Sequence, residues 1–460
     1  MTAGKGRLIL GVAFLLMLPL LTPKIRGADE IQYYSYLRSA LFDHDLDFEN
    51  EYRHFYERDP QGLSGFKATF LDRRLEETGR TINFAPVGTA LLWSPFYLVA
   101  HAGVLNARAL GAGVLADGYS TPYMAAACLA SALYGFAGLL LIHHALLRWG
   151  GATPATATLA VLAIWLATPV LYYMTLAAGF AHACSLFVAA LMVWLFLRAQ
   201  ERAEEGPHLL DWALVGAACG LAAMVREQDG IIVVIPGVWL LLRLRAEPLT
   251  ALRRGAVLAL SALVVVVPQF LTYHALNGRY GPSRLVARKM TWTSPHLLEV
   301  LLDPGHGLFL WSPLLLLAVA GLLLALVRPR PRPARLLTAL LALGFLGQAW
   351  INGCVESWSM AGAFGSRRFV GISVVFAWGL AVLLQRGAER VGLPVLAAAV
   401  AVFAWWNLSL MVQFGLRLMD RQRLTWPQVA VSQFTEVPPR LLRVGRLFFT
   451  DREQLLREAP

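Results

Sequence analysis

Charge is scarce in this chain, and acid is scarcer than base. Asp, Glu, Lys and Arg make up 15% of its 460 residues, with 29 acidic side chains against 40 basic ones. Soluble domains carry about a quarter charged residues, so a string of them is excluded. Cysteine is nearly absent. Cys128, Cys184, Cys219 and Cys354 all fall in or beside apolar segments, which excludes a disulfide framework and leaves small buried thiols. Walker loops, dinucleotide-binding glycine turns and the H-E-x-x-H helix are missing as well. A soluble nucleotide donor therefore has no evident place to bind, and His143-His144 forms no metal motif. No internal repeat of about 20–50 residues recurs, so a solenoid is excluded. No two matched halves are visible either, which speaks against many transporter folds.

What the chain does have is apolar surface. Hydrophobic residues account for 57% of it, and the mean hydropathy is +0.56. That composition belongs to a polytopic membrane protein. The net charge of +11 then concerns where the cations lie relative to the spans, and nucleic acid is not the implied partner.

The first apolar run, Leu8 to Leu21, follows Lys5 and Arg7. No small-x-small cleavage site comes after it, so it reads as an uncleaved signal-anchor helix with a cytoplasmic N-terminus. Residues 24–82 form the longest polar segment, with apolar residues at Tyr34, Leu37 and Leu41 spaced for short surface helices. Residues 83–105 are apolar but interrupted by Pro86 and Pro95. Further apolar segments cover roughly 123–147, 154–172, 183–197, 209–224, 230–242, 255–275, 307–327, 334–353, 368–385 and 393–415.

Arginines fix the orientation. They concentrate at Arg198/Arg202, Arg243/Arg245/Arg253/Arg254, Arg328/Arg330/Arg332/Arg335 and Arg386/Arg390. If all four clusters are cytoplasmic, the spans between them come in even numbers. The polar insert is then external, and 83–105 is expected to be re-entrant or to lie on the surface. The expected fold is an all-α polytopic membrane protein with roughly eleven transmembrane helices and a long first external loop. Residues 1–416 are expected to form the membrane domain and 417–460 a short external tail.

The polar groups on the external side are the candidate chemistry. Asp29 and Glu30 stand side by side where the chain leaves the first span. A carboxylate there, raised toward neutrality by partial burial, could serve as general base for an acceptor hydroxyl. Carboxylates also end spans simply by facing water. The acidic run Asp43, Asp45, Asp47, Glu49 and Glu51 could hold a divalent cation through oxygen ligands, or form a solvated turn with helix-capping aspartates.

Gly365-Ser366-Arg367-Arg368 places two arginines at an external span end, against the usual charge bias. With Ser366 capping the next helix, amides and guanidiniums could gather a phosphate; snorkelling to lipid headgroups is the alternative. Arg279, Arg284, Arg288 and Lys289 form a second basic group. His182 lies between two spans, and Arg226 has Glu227 and Asp229 beside it, where a local ion pair is the simple expectation.

The order of these features resembles the glycosyltransferase C superfamily, in particular bacterial relatives of the protein O-mannosyltransferases and the aminoarabinose transferases. The likeness rests on one span, an Asp-Glu pair at its external end, a Pro-broken Asn83-Phe84-Ala85-Pro86, and a Thr168-Pro169 span end leading to an external turn. It implies a sugar passed from a polyprenyl-phosphate donor to a lipid, glycan or protein acceptor at the outer face of the bacterial inner membrane. Asp29, with Glu30, takes the place of the catalytic acid. Arg226, Arg284, Lys289, Arg367 and Arg368 would receive the donor phosphate. Tyr33, Tyr34 and His182, with Trp292 and Trp358, would meet the sugar. The turn Phe180-Ala181-His182-Ala183 departs from the pattern, since many relatives carry a second acid there. No cofactor is implied beyond the divalent cation considered above. Two readings from other classes compete: a lipid-sugar transporter or flippase, which needs polar residues at mid-span, and a non-catalytic subunit of an envelope polysaccharide complex.

Overall fold

A computed structural model describes residues 1–203, 206, 208–328, 332–360, 362–451 and 454. Arg330, one of the orienting arginines, and the tail beyond 454 lie outside them. In chain order the helices are α1 (Ala3–Met17), α2 (Ala28–Arg38), α3 (Glu49–Arg58), α4 (Gly88–Ala109), α5 (Thr121–Arg148), α6 (Pro154–Leu166) and α7 (Val170–Thr175). There follow α8 (His182–Arg202), α9 (Leu209–Val225), α10 (Val234–Arg243), α11 (Pro248–Asn277), α12 (Arg284–Ala287) and α13 (Leu297–Leu302). The last are α14 (Leu308–Trp311), α15 (Pro313–Val327), α16 (Arg332–Cys354), α17 (Ser373–Arg390), α18 (Leu393–Gly415), α19 (Trp426–Thr435) and α20 (Val437–Thr450).

The described residues hold no strand, only an isolated antiparallel bridge between Arg74 and Thr81. Among the described residues, eight helices are long and apolar enough to cross a membrane, α1, α4, α5, α8, α11 and α18 included. Three more, α6, α9 and α15, are apolar but shorter. The protein is thus the all-helical, multi-pass membrane type that its composition implied. Two compact units divide it: one comprises 12–141 and 173–290, the other 1–11, 142–172 and 291–460.

In the first unit, α9 and α11 pack backbone to backbone. A Cβ on Gly216 would lie 2.1 Å from the Leu258 carbonyl oxygen, and one on Gly220 2.6 Å from that of Ala262. Small residues four apart allow this approach, as in membrane helix pairs generally. Both indices rise together, so the two helices run parallel. Parallel neighbours need a return between them, supplied by the 3-10 turn Glu227–Val233 and α10. The chain therefore passes twice in this region, as the segments 209–224 and 230–242 imply.

Helix α4 runs unbroken through Pro95. One continuous helix of this length cannot double back, which removes the re-entrant alternative for 83–105 and leaves the surface-lying one.

Of the insert's helices, α3 lies at the surface with Glu51, Tyr52 and Phe55 turned inward, whereas α2 does not. Residues Glu30 to Leu37 of α2 are all buried. A helix buried on every side has no single apolar stripe, so its sequence shows little amphipathic period. Below it, Phe48, Tyr52, Phe66 and Phe70 interlock edge-on or tilted, with centroids 4.8 to 6.0 Å apart. Gly118 has φ +78° and accepts hydrogen bonds from the hydroxyls of Tyr34 at 2.6 Å and Tyr97 at 3.0 Å. A Cβ there would strike the Tyr97 hydroxyl and the Arg38 stem, so only glycine fits.

In the second unit, α15 and α17 cross at Gly321 and Gly379. A Cβ on Gly321 would lie 2.0 Å from the Gly379 carbonyl oxygen. Asn407 of α18 donates to the carbonyls of Leu166 and Thr168 at 2.9 and 3.0 Å, tying down the end of α6. The segment from Arg417 onward is packed back onto this unit. Trp426 stacks on Trp406 at 5.2 Å, Gly362 N–H donates to the Arg421 carbonyl, and Leu424 N–H to that of Gly305.

Candidate active site

The start of α2 carries both acidic residues. Gly27 precedes the helix in an extended conformation, with Asp29 and Glu30 in the first turn. Glu30 folds back, and one carboxylate oxygen accepts from the Arg26 and Gly27 amides at 2.7 Å each. It thereby satisfies amides that the helix start leaves orphaned. Burial pushes its carboxyl up to about 7, even though both amides favour the charged form. Asp29, one residue earlier, is half-buried. Glu30 holds the helix start.

Two loops of the same unit close around this point. A Cβ on Gly179 would lie 2.9 Å from a Glu30 carboxylate oxygen, and one on Gly27 3.0 Å from the Phe180 ring. Phe180 stacks on His182 with centroids 5.8 Å apart, and Tyr173 meets the His182 ring edge-on at 4.5 Å. His182 is buried at the start of α8 and contacts the Arg226 guanidinium through Nδ1. A guanidinium only donates, so Nδ1 must be the acceptor and the ring hydrogen belongs on Nε2.

Arg226 sits in extended backbone directly after α9. Its neighbours in sequence do not close a simple ion pair with it. Asp229, within the field of Arg226, accepts from the Ser185 hydroxyl, and Glu227 accepts from the Tyr273 hydroxyl. Tyr33 and Tyr36 of α2 lie within electrostatic reach of Tyr273.

A third strip joins them. Asn83 donates to the Gln32 carbonyl at 3.1 Å, and the Gln32 side chain accepts from the Phe84 amide at 2.7 Å. Val87 N–H donates to Gln269 of α11 at 2.8 Å. Lys289 lies 5.3 Å above the Phe84 ring. Arg284 is exposed, with a Glu77 carboxylate oxygen 3.9 Å away.

Asp29, Glu30, His182 and Arg226 are thus brought into one neighbourhood, with Lys289 on the strip that α2 binds. Tyr34 is fully buried, its ring meeting Phe55 and Tyr97 edge-on, which leaves no face for a sugar. Tyr33 is buried against Trp93.

The second unit holds Arg367 and Arg368. Ser366 does not cap the following turn; its hydroxyl donates to the His306 carbonyl at 3.1 Å. Arg368 donates to the Ser357 carbonyl at 3.1 Å and hydroxyl at 2.8 Å. Burial, aided by the charge of Arg367, pushes the His306 imidazole down. Trp292 is exposed, and Trp358 stacks on His296 at 5.0 Å.

The acidic run forms no metal set, and among the described residues no three such ligands gather. Its carboxylates are taken by arginines and hydroxyls: Asp43 and Glu51 by Arg38, Asp45 by Ser39, Asp47 and Glu49 by Arg74. Sequence reasoning passed over Gln32, Gln269 and Tyr273. A glutamine inside the apolar run of α11 was the available signal, since polar side chains within spans have specific partners.

The fold is similar to that of several solved structures. ArnT from Cupriavidus metallidurans, in a structure bound to undecaprenyl phosphate, superposes with a TM-score of 0.51 and 17% identity, over 93% of this chain and 74% of that one. The oligosaccharyltransferase AglB from Archaeoglobus fulgidus, in complex with an inhibitory peptide and a dolichol-phosphate, gives 0.54 and 12% over 96% of this chain. The apo A. fulgidus oligosaccharyltransferase gives 0.51 and 13% over 94%. This chain spans 59% and 54% of the two archaeal chains. At such identities the likeness is one of fold. No protein-family model and no curated protein sequence matches.

Proposed function

We propose that this protein transfers a sugar from a polyprenyl-phosphate donor to an acceptor hydroxyl at the outer face of the bacterial inner membrane. The observation that carries the reading is the meeting of the Asp29 helix start with the His182–Arg226 contact, through Gly27, Gly179 and Phe180. A fold shared with proteins solved bound to undecaprenyl phosphate and dolichol-phosphate supports it.

In this reading Asp29 takes the proton of the acceptor hydroxyl as its oxygen bonds to the anomeric carbon. The bond from that carbon to the phosphate oxygen breaks, and the polyprenyl phosphate leaves with the bonding electrons. Positive charge gathers on the sugar and negative charge on the phosphate. Arg226, Arg284 and Lys289 are the cations of the same unit assigned to that phosphate, where fixed charge in a low-dielectric setting acts strongly. Arg367 and Arg368 keep their assignment as phosphate ligands on the strength of their position in the sequence. The separation of roles between the two acids makes Asp29 the base and Glu30 its positioning residue.

The test is transfer of radiolabelled sugar from a polyprenyl-phosphate donor by purified protein in lipid. Asp29→Asn should fold normally and lose transfer by about 10²–10⁴-fold. A fully active variant overturns the proposal, and labelled lipid crossing vesicles without covalent transfer would favour a flippase instead.

A further inference from the structure

Independently of that reaction, the second unit contains a groove of about 300 Å³ between α15, α17 and α18. Leu317, Leu324 and Phe403 are among its apolar lining residues, and Arg328, Arg386 and Arg390 stand on its rim. Arg328 closes α15, while Arg386 and Arg390 occupy the last turn and a half of α17. All three cations thus gather at one end of the groove. Glu389, the one acid of α17, is not part of the lining.

The exposed Arg328 and Arg390 can reach water. Arg386 differs. Its Nη1 is buried and has no hydrogen-bond partner among the described residues. A buried charged donor left unmatched is costly, so an acceptor belongs there. Two requirements meet at this place: acceptor oxygens with negative charge for the guanidinium, and an apolar body for the leucine wall. A free anion meets only the first, and a neutral acyl chain only the second.

We infer that this groove is a binding site for an anionic phospholipid. Its phosphate would lie between Arg386 and the two rim arginines, and an acyl chain would run along Leu324 and Leu317 toward Phe403. Guanidinium and phosphate pair through paired, charge-assisted hydrogen bonds, which a zwitterionic headgroup offers less freely. On the orientation proposed above, this is the cytoplasmic leaflet.

The test is native mass spectrometry of the full-length protein, delipidated and then titrated with phosphatidylglycerol or phosphatidylcholine of the same acyl chains. The wild type should retain phosphatidylglycerol about tenfold more tightly, a difference near 1.4 kcal/mol. Arg386→Gln should lose most of that preference, and Ala399→Trp, which fills the groove, should lower retention of both lipids. Equal binding of the two lipids by the wild type overturns the inference. So does an unchanged preference in the R328Q/R386Q/R390Q protein. The wild-type comparison decides the matter even where a variant does not fold.

Discussion

The guanidinium of Arg226 donates to Nδ1 of His182, joining the turn after α9 to the first residue of α8. Arg226→Gln keeps a donor for that nitrogen but removes the cation. On the proposed mechanism, transfer should fall about a hundredfold, because a fixed charge assigned to the departing phosphate is gone. Arg226→Leu also strands a buried ring nitrogen and should cost a further 1–3 kcal/mol or about that in stability. Single-turnover kinetics beside thermal unfolding separate the two effects; full transfer by the Gln variant would remove Arg226 from the site.

Glu30 makes stability depend on pH. Its carboxyl is held at about 7 in the folded protein against 4.5 for a free glutamate. Between these values the folded chain keeps a proton that the unfolded chain has released. Its contribution is complete below 4.5 and is lost as pH rises through about 7. Melting temperature should drop between about pH 5 and about pH 8, and Glu30→Gln should shrink the drop. An equal drop in both proteins would show that other groups carry it.

Arg38 and Glu51 form a pair with side chains 15% and 0% exposed, 3.1 Å apart. Arg38 also lies 4.8 Å over the Tyr119 ring. Arg38→Ala strands a buried carboxylate and should cost about 3–5 kcal/mol, whereas Arg38→Leu with Glu51→Leu should recover much of it. Chemical denaturation of the wild type, the Arg38→Leu and Glu51→Leu single variants and the double variant measures the coupling.

Gly216 tests the parallel packing of α9 and α11. An added methyl would meet the Leu258 carbonyl oxygen at 2.1 Å. Gly216→Ala should destabilise by about 1–3 kcal/mol. The same change at Gly11, which has nothing near it, should be close to neutral. Thermal inactivation of the two variants gives the comparison.

Much of this architecture was readable from the chain alone, because long apolar runs between arginine clusters leave few alternatives to a helical membrane protein. For 83–105, counting spans between arginine clusters could not tell a re-entrant segment from one lying along the surface, and the unbroken α4 decides against the first. The insert misled at one helix: α2 is buried on all sides, so its period carried no information about which face turns inward. Adjacent carboxylates told where to look but not which of them the helix start would take. The Arg26 and Gly27 amides capture Glu30, a backbone event invisible in side-chain identities. Tyr34 looked available beside Asp29, although its hydroxyl anchors a glycine 84 positions away.

The two glycines of α9 have a mechanical corollary. With carbonyl oxygens pressed into them, this helix and α11 cannot slide past one another without a backbone-sized rupture. Glu227, Gln269 and Tyr273 therefore ride on one stiff anvil. The chain first leaves that block at Gly278, whose left-handed φ of +65° ends α11.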